Sequence, residues 1–303
     1  MIIVTSGAKY IDIDAYACCV AYAELLQLQG MNAQAASSAV WNESITQSMT
    51  NLNAPFRTNY QTNNRDTYVI MDVSDPSKFD NIVAVDRVTD VLDHHPGFED
   101  FWKERIGNKS KIDFIGAAAT LVYEEWVKAG KTEDMSLASA ELLAAALLDN
   151  TLNFGAGVTT ERDRAAYKFL TDHASLDDKW VARYFTDCQR AIVADLCLAL
   201  KNDTKFLQFP GLNEELCFGQ VVIWNADSII SSKLAVISDT LSSMRGCWLA
   251  NLVSISNGRS YFLSDNTEVQ NWLTGILDIT FEGMLANADK LWLRKEIMMK
   301  GLA

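Results

Sequence analysis

Short runs of apolar residues alternate with longer amphipathic stretches through the first part of the chain. Ile2–Thr5, Thr67–Val73 and Asp90–Leu92 are such runs, and each is followed closely by turn-forming residues. Runs of this length without polar alternation are typical of strands that are buried on both faces. Asn81–Val85 and Lys111–Ile115 have a similar but weaker pattern. Residues 32–66 are more polar and predict a loosely patterned strand and helix. The pattern therefore predicts short strands of a mostly parallel sheet.

Helical patterns fill the intervals between these runs. Ala15–Gln29, Ala117–Lys128, Ser136–Leu148 and Glu161–Leu170 have apolar residues at helical spacing. Strands that alternate with helices of this length form sheets whose two faces are covered by helices. The sequence thus predicts an α/β fold with a mostly parallel sheet flanked by helices.

The pattern changes after a helical stretch at Asp177–Leu200. Strands are predicted at Lys205–Gln208, Cys217–Trp224, Cys247–Ser254 and Arg259–Leu263, with a helix at Asp227–Leu241 and a helix or turn at Asn287–Leu291. These elements predict a second, smaller α+β unit. We divide the chain into residues 1–188 and 189–303, on the change of pattern alone.

Composition excludes several classes of function. With 49% hydrophobic and 21% charged residues, the chain has the composition of a soluble globular protein. Its net charge of −13 argues against a nucleic-acid or anionic-membrane surface, so we expect neither partner. The six cysteines form no CxxC pair, and the N-terminal residues resemble no secretion signal. We expect a cytoplasmic protein, for which a homodimer is one of the oligomeric states left open.

Acidic and imidazole side chains lie at or next to the ends of the predicted strands and helices. They are Asp12, Asp14, Asp72, Asp93, His94, His95 and Asp149. Several clustered carboxylates cannot all stay ionised without cations. Carboxylates with imidazole and no thiolate favour Mn²⁺, Mg²⁺ or Co²⁺ over a structural zinc. Two such ions about 3.5–4 Å apart can activate water and clamp the oxygens of a displacement at phosphorus.

Each of these groups also has a structural interpretation. Asp14 can be the N-cap of the helix Ala15–Gln29, and Asp72 and Asp149 can be turn residues. The Asp-His-His run can be a hydrogen-bonded turn. We prefer the metal-binding interpretation because all of these structural roles would otherwise have to coincide.

Four motifs resemble those of the DHH phosphoesterases. They are Asp12-Ile13-Asp14, Val69-Ile70-Met71-Asp72, Leu92-Asp93-His94-His95 and Leu147-Leu148-Asp149-Asn150-Thr151. Within that family the chain is most similar to the branch of manganese-dependent (family II) inorganic pyrophosphatases, exopolyphosphatases and prune-like proteins. Two C-terminal stretches, Gly219-Gln220-Val221-Val222 and Leu293-Arg294-Lys295, resemble the DHHA2 domain of that branch.

The resemblance implies hydrolysis of a phosphoanhydride bond, in inorganic pyrophosphate or short-chain polyphosphate, by a metal-activated water. It implies that one Mn²⁺ is bound by Asp12 and Asp72. The implied ligands of the other are Asp14, Asp72, His94 and Asp149. The implied catalytic residues are Asp93, which would hold an imidazole in its tautomer, and His95, which would face the phosphate. The implied substrate-binding residues are His95, Lys205, Arg294 and Lys295.

One departure from the family changes the expected metal site. The family's pyrophosphatases carry a histidine four residues before the first aspartate, where this chain has Ala8. We therefore expect two sites of which the first holds its ion weakly, with Mg²⁺ and Co²⁺ as alternatives to Mn²⁺. Two other functions stay open. One is a phosphoesterase for an organic phosphate or nucleotide, and the other is a metal- and phosphate-binding module with weakened turnover.

Overall fold

A five-stranded sheet organises the first of two units, Met1–Tyr184, in a computed structural model that describes residues 1–302. In chain order the strands of this unit are β1 (Ile2–Thr5), β2 (Tyr10–Ile11), β3 (Ala33–Ala35), β4 (Val40–Trp41), β5 (Thr67–Met71), β6 (Val88–Asp93) and β7 (Ser110–Ile112). The sheet order is β3-β1-β5-β6-β7, and every neighbouring pair in it is parallel. Strands β2 and β4 form a separate parallel pair.

Helices connect these strands, as a parallel sheet requires. They are α1 (Ile13–Leu28), α2 (Gln47–Thr50), α3 (Glu99–Ile106), α4 (Ala118–Ala129), α5 (Leu137–Thr151), α6 (Glu161–His173) and α7 (Trp180–Ala194). Helix α1 is buried along most of its length because it packs against both α4 and α5. Helix α7 begins in the first unit and ends in the second.

Alternate residues of the central strands build one face of the core. Ile3 of β1, Ile70 of β5 and Val91 of β6 share a buried cluster with Trp102 of α3. Successive strand side chains point to opposite faces, so the intervening residues supply the other face. The polar residues that follow β5 and β6 are thereby held at one edge of a rigid sheet.

The second unit, Phe185–Ala303, is built on a mixed sheet. Its strands are β8 (Thr204–Leu207), β9 (Leu216–Ile223), β10 (Trp248–Ser254), β11 (Arg259–Leu263) and β12 (Leu285–Ala288), and its further helices are α8 (Leu196–Asn202), α9 (Asp227–Met244), α10 (Thr267–Ile276) and α11 (Arg294–Gly301). The order is β12-β11-β10-β9-β8, with β9 and β10 parallel and the other pairs antiparallel. One face packs against α8 and α9, and the other packs against α10 and α11.

The predicted fold class is confirmed, and three local predictions are wrong. Asn81–Val85 is not a strand: local bonds such as Val83 N to the Asp80 carbonyl form turns, and β6 takes the place beside β5. Asn287–Leu291, predicted as a helix or turn, begins as a strand, because Asn287 and Ala288 pair with β11 as the end of β12. The N-cap of α1 is Asp12 rather than Asp14.

Two further findings bear on the organisation of the chain. The units divide between Tyr184 and Phe185, whereas the sequence placed the division after residue 188. The roles predicted for the two domains stay predictions. Within residues 1–302, no helix is both long enough and apolar enough to cross a membrane.

A buried acid at the start of α6 ties that helix to the loop before α4. Asp163 accepts hydrogen bonds from the Gly116 amide at 3.1 Å, the Thr120 hydroxyl at 2.5 Å and the Thr160 amide at 2.7 Å. Its side chain completes a capping box with Thr160. These bonds join two helices that pack on α5.

Replacing Asp163 by alanine should lower the free energy of unfolding by about 3 kcal/mol or more, because several buried donors would lose their acceptor. Urea denaturation of the metal-free protein measures the change. Asp172→Ala is the matched control, since Asp172 is an exposed acid of the same helix that pairs with Lys168. An exposed pair contributes about 1 kcal/mol at most, so equal losses in both variants would contradict this account.

Candidate metal centre

Two neighbouring strands deliver acidic and imidazole groups to the same edge of the first sheet. Asp72 directly follows β5, while Asp93 ends β6 and is followed by His94 and His95. The Asp72 amide donates to the Leu92 carbonyl at 2.8 Å, which ties the two strand ends together. Asp72 has a positive φ of 62°, a left-handed conformation that aspartate tolerates better than most residues. The turn that it starts holds its carboxylate beside the two histidines.

Two packed helices bring further carboxylates to this region. Asp12 caps the N-terminus of α1, and Asp14 lies in the first turn of that helix. Asp149 lies in the last turn of α5, where it accepts a hydrogen bond from the Tyr184 hydroxyl at 3.0 Å. The position of Asp149 was predicted just beyond the helix, but α5 continues to Thr151.

Asp14 is fully buried and acts as an external cap for another helix. Its carboxylate accepts from the amides of Ala118 at 2.8 Å and Ala119 at 2.9 Å, the first residues of α4. The residue before them, Ala117, has no side chain that can cap a helix. Asn150 donates to the same carboxylate at 2.8 Å. A negative charge is stabilised by the free amides at a helix N-terminus.

The two histidines are oriented by different acceptors. His94 Nδ1 lies 3.1 Å from the Ile115 carbonyl oxygen, so Nδ1 carries the proton and Nε2 faces Asp72 Oδ1 at 3.3 Å. His95 Nδ1 lies 2.8 Å from Asp93 Oδ1, and that oxygen also accepts from the amides of both histidines. The His95 side chain is 60% exposed, whereas that of His94 is 12% exposed.

Burial and mutual repulsion shift the proton affinities of the acids. Burial raises the pKa of Asp72 to about 8, and the charges of Asp14 and Asp12 add to that shift. Burial, followed by the charge of Asp12, raises the pKa of Asp149 to about 7. Burial also raises the pKa of Asp14. These four carboxylates therefore repel one another, and the site has a deficit of positive charge.

The pKa shifts of the two imidazoles and of Asp93 favour their charged forms. Burial alone would lower the pKa of His94, but Asp72 and Asp14 raise it to about 10. Burial alone would lower the pKa of His95 too, but Asp93 and Asp72 raise it. Burial would raise the pKa of Asp93, but bonds from His95 hold it below its usual value. Asp93 is thus the stable anion that orients His95.

The residues present fit a divalent cation. The buried Asp72 Oδ1 lies 3.3 Å from His94 Nε2 and has no other hydrogen-bond partner. In the metal-free protein a proton on Nε2 can lie between the two atoms, as the raised pKa of His94 indicates. A divalent cation can replace that proton, because the spacing suits adjacent ligands of an ion held at about 2.1 Å. Asp72, His94 and His95 each offer a ligand atom within 4.8 Å of the others. This group contains carboxylate and imidazole without thiolate, as Mn²⁺ and Mg²⁺ prefer.

The structure brings together most of the predicted site residues of the first unit. Asp14 Oδ2 lies 4.0 Å from His94 Nε2, and the charge of Asp12 acts on three neighbouring acids. His95, predicted to face phosphate, is also one of the three residues that could together hold a metal ion. The individual metal and catalytic roles stay predictions.

The three predicted cations of the second unit have different environments. Arg294 is buried, and its guanidinium donates to the Asp203 carboxylate and to the carbonyl oxygens of Asp203 at 2.6 Å and Phe218 at 3.2 Å. Lys205 is an exposed residue of the edge strand β8, and Lys295 is exposed in the first turn of α11. Substrate binding by these three residues stays a prediction.

Sequence reasoning missed the groups that support the acids. Tyr184, which binds Asp149, lies in a helical pattern that gave no signal of a site. The α4 amides that bind Asp14 have no side-chain signature. Asn150 could have been found, since it directly follows Asp149 in the fourth motif. His173 stacks on Phe169 and reaches the Met135 carbonyl at 2.8 Å, so it has a structural role.

Comparisons with known proteins bear on this arrangement. No family model matches the chain. A probable manganese-dependent inorganic pyrophosphatase of Thermotoga maritima is 24% identical over 191 residues, which are 60% of this chain and 32% of that protein. Another from Bacillus cereus is 29% identical over 185 residues, 57% of this chain and 56% of that protein. The chain thus spans about a third to just over half of the length of these relatives.

Two solved structures share the fold. A putative family II inorganic pyrophosphatase of Methanococcus jannaschii superposes with a TM-score of 0.64 at 16% identity, over 99% of both chains. The chain resembles the family II pyrophosphatases. An exopolyphosphatase-related protein from Bacteroides fragilis gives a TM-score of 0.55 at 13% identity, over 99% of this chain and 89% of that one. The resemblance that the four motifs suggested is confirmed, and the relatives are named as manganese-dependent.

Without divalent cations, folding stability should fall as the pH rises from about 5.5 to about 8.5. Asp72 and Asp149 have folded pKa values of about 8 and about 7 against 3.8 otherwise, so they keep protons in the folded state that the unfolded chain has lost. His94 acts in the same direction, because its stabilisation is complete below 6.5 and is lost as the pH approaches about 10. The melting temperature in EDTA should therefore drop by several degrees over this range.

Mn²⁺ should reverse this trend, because the ion binds the deprotonated carboxylates and competes with their protons. The melting temperature in saturating Mn²⁺ should rise with pH over the same interval. A metal-free protein that becomes more stable as the pH rises would show that the acids are not repelling one another.

Proposed function

We propose that the protein is a manganese-dependent hydrolase of phosphoanhydride bonds, acting on inorganic pyrophosphate or short-chain polyphosphate. The observation that carries this proposal is the unpartnered Asp72 oxygen, which faces His94 among three further carboxylates. The names of the sequence relatives support the same chemistry. Divalent cations bound there would supply positive charge to the phosphoryl oxygens and lower the pKa of water.

The chain's own residues have distinct parts in this proposal. Asp72 and His94 would bind one ion together, and Asp14, already fixed by the amides of α4, would complete its carboxylate ligands with Asp149. Asp12 and Asp72 would bind the other ion. Because Asp14 and His94 are held by hydrogen bonds to the backbone, little reorganisation is needed when an ion binds.

His95 is the group that can donate a proton to the substrate. Its Nδ1 is bound to Asp93, which is an anion because bonds from His95 keep its pKa low. The same pair raises the pKa of His95, so its exposed ring can hold a proton at Nε2. A protonated Nε2 would hydrogen-bond a phosphoryl oxygen and reduce the charge that builds up on it.

The second unit would supply phosphate-binding cations. Lys205 and Lys295 can act as point charges on phosphoryl oxygens. We keep Arg294 in the predicted substrate-binding set, although its guanidinium also holds the start of β8 through Asp203. Loss of Arg294 would therefore disturb the position of Lys205, which lies two residues after Asp203.

The two metal sites should differ in affinity. Ala8 pairs with Phe79 through a backbone bridge and offers no ligand atom at the position where related pyrophosphatases carry histidine. Asp12 and Asp72 alone would then bind the first ion, whereas the other site has three carboxylates and an imidazole. Fewer charged ligands give weaker binding.

Phosphate release from pyrophosphate and tripolyphosphate, with Mn²⁺, Mg²⁺ and Co²⁺ in turn, tests the proposed activity. Asp72→Ala and Asp149→Ala should each lower kcat by a factor of about 1,000 or more, since each removes a ligand of the activating ions. Both variants should fold, and the metal-free form of Asp149→Ala should be at least as stable as the natural protein because repulsion falls. In Asp72→Ala the strain of alanine at a positive φ offsets part of that gain. Near-normal turnover in either variant under saturating Mn²⁺ contradicts the two-ion assignment.

Metal titration by calorimetry tests the difference between the two sites. The natural protein should bind one Mn²⁺ tightly and one weakly, and activity should continue to rise beyond the first equivalent. Ala8→His should strengthen the weak site by about tenfold or more, because it adds an imidazole ligand. Ala8→Leu serves as the size control and should leave the weak site weak. Two equally tight sites in the natural protein would overturn this account.

A further inference from the structure

A cavity of about 290 Å³ lies beside the metal-ligating group, within the first unit. Asp72 and His95 line it together with Asp75, Lys78 and Phe98, among others. Small-molecule sites have volumes of roughly 300–1,000 Å³, so this cavity is at the lower end of that range. It suits a compact ligand that extends from the metal centre.

The segment that carries Lys78 is fixed on both sides. The Ser74 hydroxyl donates to the His95 carbonyl at 3.3 Å, and the Trp102 indole donates to the Ser74 carbonyl at 2.6 Å. Asp75 then caps the short helical turn Pro76–Lys78 by accepting from the Ser77 amide at 2.9 Å. Lys78 therefore follows Asp72 along a turn. Hydrogen bonds tie the backbone of this turn to the loop that carries His95 and to α3.

The charge of Lys78 is available to a ligand. The Lys78 side chain is exposed, and none of the ion pairs found within residues 1–302 includes it. The nearby carboxylate of Asp75 is already engaged by the amide and the hydroxyl of Ser77. An exposed ammonium beside a metal centre is a point charge suited to a phosphoryl oxygen.

We propose that this cavity binds a phosphoryl group of a short inorganic phosphate chain, with Lys78 as a substrate-binding residue. This proposal rests on the proposed function and specifies its substrate class. The chain would run from the ions at Asp72 and His95 to the ammonium of Lys78. The volume of about 290 Å³ is enough for a short phosphate chain without any further group, which is the substrate class of the proposed function.

Lys78 and Asp75 line the same cavity with opposite charges, which gives a test in two directions. Lys78→Met should raise the KM for tripolyphosphate by about tenfold, with a smaller change in kcat, because a charge-assisted contact is lost. Asp75→Asn should lower that KM severalfold, because repulsion of the substrate falls while asparagine still caps the turn. General damage to the segment would instead impair both variants.

Lys103→Met is the matched control, since Lys103 is an exposed lysine of α3 that does not line the cavity. Its kinetic constants should stay unchanged. Melting temperatures of all three variants check their folding, and Lys78→Gln repeats the test if Lys78→Met is unstable. A KM for Lys78→Met equal to that of Lys103→Met would overturn the proposal.

Direct binding separates this proposal from the proposed function. Calorimetry with tripolyphosphate and Mg²⁺ at low temperature, analysed before turnover, should show weaker binding by Lys78→Met and tighter binding by Asp75→Asn. If no variant releases phosphate but this order of affinities holds, hydrolysis is wrong and the binding site stands. If the protein releases phosphate but the affinities of the variants for tripolyphosphate do not follow that order, only the proposed binding site at Lys78 is wrong. ATP that binds as tightly as tripolyphosphate would overturn the inorganic substrate class.

Discussion

The burial of several carboxylates within reach of one another is the constraint on which this structure depends. An ionised carboxyl group removed from water is unfavourable unless hydrogen bonds or opposite charges compensate it. The compensation is unequal here. Asp14 receives two helix amides and a side-chain amide, and Asp93 receives two amides and an imidazole. The charge of Asp72 is compensated by the His94 imidazole at 3.3 Å, and that of Asp149 by one hydrogen bond from the Tyr184 hydroxyl. Asp72 and Asp149 thus have the fewest compensating hydrogen bonds, and burial raises their pKa to about 8 and about 7. Burial also raises the pKa of Asp14, despite its three donors.

The fold makes this concentration possible by holding the acids on separate rigid elements. Asp72 and His94 come from the ends of adjacent parallel strands, and the pairing of Met71 with Leu92 sets the spacing of those ends. Asp14 and Asp149 come from α1 and α5, which pack side by side. Because each backbone segment is fixed by the core, repulsion among the carboxylates cannot be relieved by moving apart. It raises the proton affinity of the carboxylates instead, and the same arrangement would give the proposed site its affinity for a divalent ion.

The sequence predicted the parts of this arrangement that depend on local pattern. Apolar runs that stop at Asp72 and Asp93 marked the strand ends, and four spaced motifs indicated the family resemblance. It could not predict what depends on contacts across the fold. The carboxylate of Asp14 meets the amides of α4 more than a hundred residues away, and Tyr184 meets Asp149 from a helix with no distinguishing composition. The strand predicted at Asn81–Val85 failed for the same reason, because competition between β6 and this segment for the edge of β5 is a tertiary effect.

The proposed phosphate-binding cations would have to be placed locally in a chain with a net charge of −13, and their surroundings decide how readily each could bind phosphate. The donors of Arg294 already serve a carboxylate and two carbonyl oxygens, so a ligand would have to replace bonds that hold β8 and β9 together. The ammonium of Lys78 is exposed, and binding a phosphate would cost it only part of its hydration. Lys78 also lies in the same unit as Asp72 and His95, so the position of its backbone relative to these two residues is set by the fold of that unit alone. In the proposed function, a cation with an available charge and a fixed backbone would be better placed than a committed one to orient a phosphate chain.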